Sequence, residues 1–217
     1  MIHPNMATML SFVMTDAALD PATLQACLKT AVDQSFNAIS VDGDTSTNDT
    51  VLLLASGKLA SQARAARSDF QRALNAVCRQ LAWLIVRDGE GATRVMELEV
   101  RGARSDRDAR LAAHAVATSP LVKTALHGGD PNWGRILAAL GRSGARFSTK
   151  RVSLAAGNVT LVSNGAPAVY REKDAARVFA RERVPLTLDL GGGNASTVVL
   201  ASDLGHDYVS INTDYRS

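Results

Sequence analysis

Four stretches of this sequence put polar side chains beside a strand or helix end: Thr8, the loop Asp42–Thr50, the loop Asp88–Thr93 and the tail Asn212–Ser217. A threonine hydroxyl is a weak nucleophile until a base takes its proton. Cutting the chain just before the threonine supplies that base, because the freed α-amine has an ordinary pKa near about 8. Thr8 fits this role. It follows the small residue Ala7, which leaves room for the hydroxyl to attack the preceding carbonyl, and it opens the apolar run Met9–Val13. Read alone, it is equally a threonine that starts a strand.

The other polar clusters have plainer readings. Asp42, Asp44 and Asp49 lie in a tight loop, where Asp, Asn, Ser and Thr side chains satisfy turn backbone groups, and that outweighs a metal site. Asp130-Pro-Asn-Trp133 is expected to fix a turn and bury an indole with its N–H paired, with His127 as a neighbour of that turn. His3, His114 and His206 have no partner at ligand spacing, so no metal is assigned. Gly191-Gly-Gly193 lacks the spacing and following helix of a nucleotide loop. Cys27 and Cys78 sit in alanine-rich helical surroundings and read as buried free thiols, in keeping with a reducing cytoplasm.

The elements that must position these residues mix two periodicities. Met9–Val13 and Val51–Ala55 read as strands, with a helix from 20 to 37 between them that carries Pro21 in its first turn. A long helix covers 68–87, with Phe70, Leu74, Val77, Leu81, Leu84 and Ile85 on one stripe. A strand over 94–100 and an alanine-rich helix over 105–118 follow, then helical segments at 136–142 and 174–183. A hairpin turns at Gly157-Asn158, and strands are expected at 186–190, 197–200 and 208–212. The pattern is a layered α/β (α+β) fold. The expected division is 1–92 and 93–205, with the tail 206–217 returning to the first part.

Composition narrows the partners. With 46% hydrophobic and 21% charged residues among 217, the chain is of ordinary globular type, and no apolar run is long enough to cross a bilayer. The net charge is +3, but the arginines are scattered along helix faces without interleaved aromatic residues, so neither nucleic acid nor membrane is expected as a partner.

The weighing at Thr8 changes once Met1-Ile-His-Pro-Asn-Met-Ala-Thr-Met-Leu10 is read with Val41–Thr50, Asp88–Thr93, Asp130–Arg135 and Asn212–Ser217. Together and in this order, these segments resemble the bifunctional ornithine acetyltransferase/N-acetylglutamate synthase family of arginine biosynthesis. The resemblance implies an N-terminal-threonine nucleophile fold of DmpA/ArgJ-like architecture, with a smaller C-terminal α/β domain. It implies a precursor that cuts itself between Ala7 and Thr8, so that this sequence looks like the β chain plus the last seven residues of the α chain. It further implies Thr8 as the nucleophile that takes an acetyl group from N2-acetyl-L-ornithine and passes it to L-glutamate. Thr8, Glu90, Asn212 and Ser217 are the implied substrate-contacting positions.

No cofactor is implied, and acetyl-CoA stays open as a second donor. The implied partner is the α chain, in a cytoplasmic α2β2 heterotetramer. The family's oxyanion Thr-Gly pair and the lysine before the cleavage site belong to that α chain. The chain alone is therefore expected to be a poor enzyme that retains residues 1–7. An N-terminal-nucleophile amidase or aminopeptidase, and an inactive remnant, are the alternatives.

Overall fold

A computed structural model describes residues 1–3, 9–45, 48–59 and 67–214. By its internal contacts the chain divides into two units, Met1–Ile85 and Val86–Ser217. The division falls in the last turn of a long helix rather than at residue 92, and it groups the tail with the second unit.

The first unit begins with strand β1 (Leu10–Thr15), helix α1 (Pro21–Asp33), the short strand β2 (Ile39–Ser40) and strand β3 (Thr50–Ala55). Helix α2 (Arg67–Arg87) follows. Asp20 caps α1 by accepting the Thr23 N–H at 2.9 Å, and Pro21 occupies the first turn, where its missing N–H costs nothing. β1 and β3 run parallel with Phe12 opposite Leu52, so the chain between them has to cross back, and α1 lies in that crossover. Cys27 and Ala31 of α1 and Leu74, Cys78 and Ala82 of α2 are buried, and Gln71 Nε2 donates to the Cys27 carbonyl at 3.0 Å. Both cysteines are free and buried, as expected, and burial pushes the Cys78 thiol pKa up.

One face of the β1–β3 pair is open. Leu10, Phe12 and Met14 are 69%, 57% and 77% exposed, and Leu52 and Leu54 stand beside them on β3. Parallel strands are ordinarily covered on both faces, and here Leu10, Phe12 and Met14 stay exposed.

The second unit contains β4 (Val95–Ala103), α3 (Asp106–Ala117), α4 (Pro120–His127) and α5 (Trp133–Gly141). After these come β5 (Ser153–Ala156), β6 (Val159–Ser163), β7 (Ala166–Pro167) and α6 (Glu172–Phe179). β8 (Arg183–Asp189), β9 (Ala195–Ser202) and α7 (His206–Asp214) complete it. Its strands lie in the order β9-β4-β8-β5-β6-β7, with β4 parallel to β8 and antiparallel to β9. β4 alternates as a half-buried strand should: Met96, Leu98 and Val100 enter the core. On the opposite face Glu97 takes a two-pronged bond from Arg183 at 2.5 and 2.7 Å. Helix α3 supplies Ala112, Ala113 and Val116 to the same core, its small side chains letting it lie close on β4 and β9. The hairpin at Gly157-Asn158 forms as read from the sequence.

One segment differs in type from the sequence reading: the strand expected at 208–212 is helix α7. The alternation of Val209 and Ile211 imitates a strand, yet both are exposed and meet no facing strand. The segment takes helical backbone instead, and two of its side chains bond the carbonyl one turn back: Asn212 Nδ2 donates to that of Tyr208 at 2.9 Å, and Ser210 Oγ to that of His206 at 3.3 Å.

Helix α7 can approach the 88–93 loop because Gly91 has no side chain. Its φ is +66°, and a β-carbon there would lie 2.6 Å from the Tyr208 nitrogen. Gly91→Ala is expected to destabilise the chain by about 2 kcal/mol or more through left-handed strain and this backbone clash, read as a lowered urea midpoint at unchanged m-value.

Candidate functional site

The loop between α2 and β4 is closed by a turn in which the Ala92 N–H reaches the Gly89 carbonyl at 2.9 Å. It presents Glu90 to solvent. Asn212 Nδ2, on α7, donates to Glu90 Oε2 at 2.6 Å, joining two residues 122 positions apart. The second hydrogen of that amide goes to Tyr208, so the amide nitrogen is fully used and its orientation is set. Glu90 Oε1 has no partner among the described residues. Within the described residues the pair is thus a carboxylate with one oxygen held by an oriented amide.

Beneath this pair lies a group that the sequence did not announce. Asp203, at the end of β9, has a fully buried side chain. Its Oδ1 accepts the backbone N–H groups of Thr93 at 2.8 Å and Arg94 at 3.0 Å, and its Oδ2 accepts the Thr93 hydroxyl at 2.6 Å. His127 Nδ1 meets Oδ2 at 2.7 Å. Burial pushes the Asp203 carboxyl up. The hydrogen bonds from Thr93, Arg94 and His127 outweigh it and hold the group below the usual carboxylate range. An ionised carboxylate only accepts, so in this contact His127 Nδ1 is the donor. Arg94 Nη1 in turn donates to the His127 carbonyl.

Helix α4 braces the same segment at a second point. Lys123 Nζ, which is buried, donates to the Ser202 carbonyl and to Ser202 Oγ at 3.2 Å. The Lys123 carbonyl accepts the Leu204 N–H at 3.2 Å. Gly205 lies directly under the His127 ring, where a β-carbon would overlap it. His127 is therefore more than a neighbour of the 130–133 turn. That turn itself forms as expected: Asn132 caps α5 by accepting the Arg135 N–H at 3.1 Å, and Trp133 is half-buried and hydrogen-bonded to Tyr170.

Ala7, Thr8 and Ser217 lie outside the described residues, but both flanks of the first two are placed. Before them, the Ile2 N–H is held by Asp42 Oδ1 at 2.9 Å, and His3 Nδ1 meets Ser40 Oγ at 3.2 Å. After them, the Met9 N–H is held by Asp49 Oδ1 at 2.9 Å, and the Met9 carbonyl accepts from Thr50. Burial raises the Asp49 pKa, with the Met9 N–H opposing it. Asp42 and Asp49 of the 42–50 loop thus accept backbone N–H groups, one on each side of Thr8 in the sequence. Ile2, His3, Met9 and Asp49 also line a cleft of about 350 Å³ in this unit. Among the described residues no group of three or more His, Cys, Asp or Glu side chains is arranged to hold a metal, and no helix is long and apolar enough to cross a membrane.

Sequence reasoning missed Asp203, His127 and Lys123 as parts of one arrangement. The available signal was a lone aspartate closing an apolar strand, two residues before a glycine.

Comparison with known proteins places this geometry. The sequence is 52% identical to the arginine biosynthesis bifunctional protein ArgJ of Symbiobacterium thermophilum, covering 100% of this chain and 55% of that protein. It is 50% identical to the protein of the same name from Chlorobaculum tepidum, again over 100% of this chain and 54% of that one. The chain therefore spans about half the length of these curated relatives. The crystal structure of the arginine biosynthesis bifunctional protein ArgJ from Bacillus halodurans superposes with a TM-score of 0.91 at 41% identity, covering 96% of this chain and 100% of that one. This agreement bears out the layered α/β architecture read from the sequence. The model of the ArgJ family matches residues 1–217, end to end, and the chain belongs to that family.

Proposed function

We propose that this chain carries the nucleophile and the ammonium-binding groups of a glutamate N-acetyltransferase that uses N2-acetyl-L-ornithine as donor. The observation that carries the proposal is the Glu90–Asn212 pair, a half-occupied carboxylate of the kind an ornithine ammonium needs. Family membership supplies the chemistry to which that pair is matched.

In this scheme the bond between Ala7 and Thr8 is cut, and the freed Thr8 amine becomes the base. It takes the proton of Thr8 Oγ as the oxygen attacks the acetyl carbonyl. The tetrahedral oxyanion collapses, the C–N bond breaks, and ornithine leaves with the proton. Glutamate then enters. Its amine attacks the acetyl-Thr8 ester, and N-acetylglutamate departs with Thr8 Oγ reprotonated. The acetyl group passes directly, without a cofactor, and acetyl-CoA would acylate Thr8 by the same attack. Asn212 orients Glu90, and Ser217 adds a hydroxyl to the substrate contacts. The oxyanion needs preorganised donors, each worth about 10²–10³ in rate. We assign these to the N-terminal half of the precursor, as α chain of a cytoplasmic α2β2 assembly.

One observation on a relative favours a cut precursor: the crystallised chain of the Bacillus halodurans protein is matched over its full length by 96% of this one. The open apolar ridge of Leu10, Phe12 and Met14 suits the missing half as its cover.

Thr8→Ala, in this chain produced together with the N-terminal half, is expected to lower acetyl transfer at least about 10³-fold and to leave the 7–8 bond intact by mass measurement. Unchanged transfer would reject the nucleophile, and free acetate in place of N-acetylglutamate from the unaltered enzyme would make it an amidase. Glu90→Gln is expected to raise the KM for N-acetylornithine about 10- to 100-fold, the worth of one hydrogen bond to a charged group. Phe12→Asp should abolish co-purification of the two halves, because it places a charge on the ridge assigned to their contact.

A further inference from the structure

We propose that Asp203 is the positioning residue of the Glu90–Asn212 pair, a role that rests on reading that pair as the ammonium site. Glu90 and Asn212 are both exposed, and the bond between them is open to water. An exposed contact of that kind cannot hold two chain segments in register. Their spacing has to be imposed from below, and the geometry shows where.

On the Glu90 side, the Asp203 carboxylate grips the exit of the loop at both N–H groups that follow it and at the Thr93 hydroxyl. On the Asn212 side, Asp203 lies two residues ahead of Gly205, and α7 starts at His206. The intervening strap cannot slide. Lys123 holds Ser202 and Leu204, and the His127 ring covers Gly205 while its Nδ1 bonds the carboxylate. One carboxylate therefore registers the loop that carries Glu90 against the helix that carries Asn212. A shift of about 1 Å in either would break the bond that turns Glu90 toward a ligand.

The consequence is separable from simple stabilisation. Loss of the Asp203 charge should act through Glu90, so the two substitutions should not add. The test is a double-mutant cycle in the complex of this chain with the N-terminal half of its precursor, read as KM and kcat for N-acetylornithine.

Asp203→Asn is expected to raise KM about tenfold with kcat within about threefold, and Thr93→Val, which removes one arm of the grip, to raise it about threefold. Glu90→Gln with Asp203→Asn should have a KM within about twofold of Glu90→Gln alone. Unchanged KM in Asp203→Asn, a loss confined to kcat and melting temperature, or KM effects that multiply would each overturn the assignment. Where Asp203→Asn fails to fold by circular dichroism, Thr93→Val and its double variant with Glu90→Gln are judged by the same criteria. If Glu90→Gln raises KM and the Asp203 and Thr93 variants do not, this inference alone falls. If Glu90→Gln leaves KM unchanged, the ammonium-site reading falls and takes this inference with it.

Discussion

A buried carboxylate without partners costs several kcal/mol, and the fold has to answer that cost wherever it places one. At Asp203 the answer consists of two backbone N–H groups, a threonine hydroxyl and an imidazole nitrogen, with distances between 2.6 and 3.0 Å. Bonds to a charged acceptor contribute about 1.5–3 kcal/mol each, whereas an exposed polar pair such as Glu90–Asn212 contributes about 0–1. The hierarchy follows from those magnitudes. The buried carboxylate sets the path of the chain on both sides, and the exposed pair takes the spacing it is given. A site facing solvent keeps its geometry because its framework does not face solvent.

The first unit solves a similar problem with other residues. The segment that carries Thr8 is bracketed by Asp42, which accepts the Ile2 N–H, and Asp49, which accepts the Met9 N–H. Beyond Met9 the parallel ladder with β3 takes over, and its register decides which side chains face out. A slip of one residue would exchange the Leu10, Phe12, Met14 face for Ser11, Val13 and Thr15. Asp49 stands where that register begins, so the carboxylate that restrains the residue after Thr8 also fixes which face of the strand pair is apolar.

Much of this was legible in the sequence, for identifiable reasons. α1, α2 and α3 carried long amphipathic stripes, with Pro21 and Ser105 marking two of their starts, and the Gly157-Asn158 turn named its hairpin. Glu90 and Asn212 were singled out only through the family resemblance, since no local pattern joins residues 122 apart. The tail misled because two β-branched residues at alternate positions, Val209 and Ile211, are a strand signal that only a partner strand can validate. Asp203 and His127 stayed hidden for the opposite reason. Each has an ordinary local context, an acid ending a strand and a histidine before a glycine-rich turn, and their significance lies entirely in the tertiary contact. Sequence periodicity reports the face an element buries; it carries no record of which buried polar group meets which.

The meeting of Gly205 and His127 has a consequence for how this part of the molecule can vary. The imidazole fills the volume that a side chain at 205 would need, so the two positions share one space rather than occupying two. Neither residue can be exchanged on its own terms. A larger group at 205 requires the ring to go, and without the ring Asp203 loses a donor while the strap above it loses its cover. Substitutions here should be inherited in pairs or not at all, so that two positions 78 residues apart behave as a single evolutionary unit.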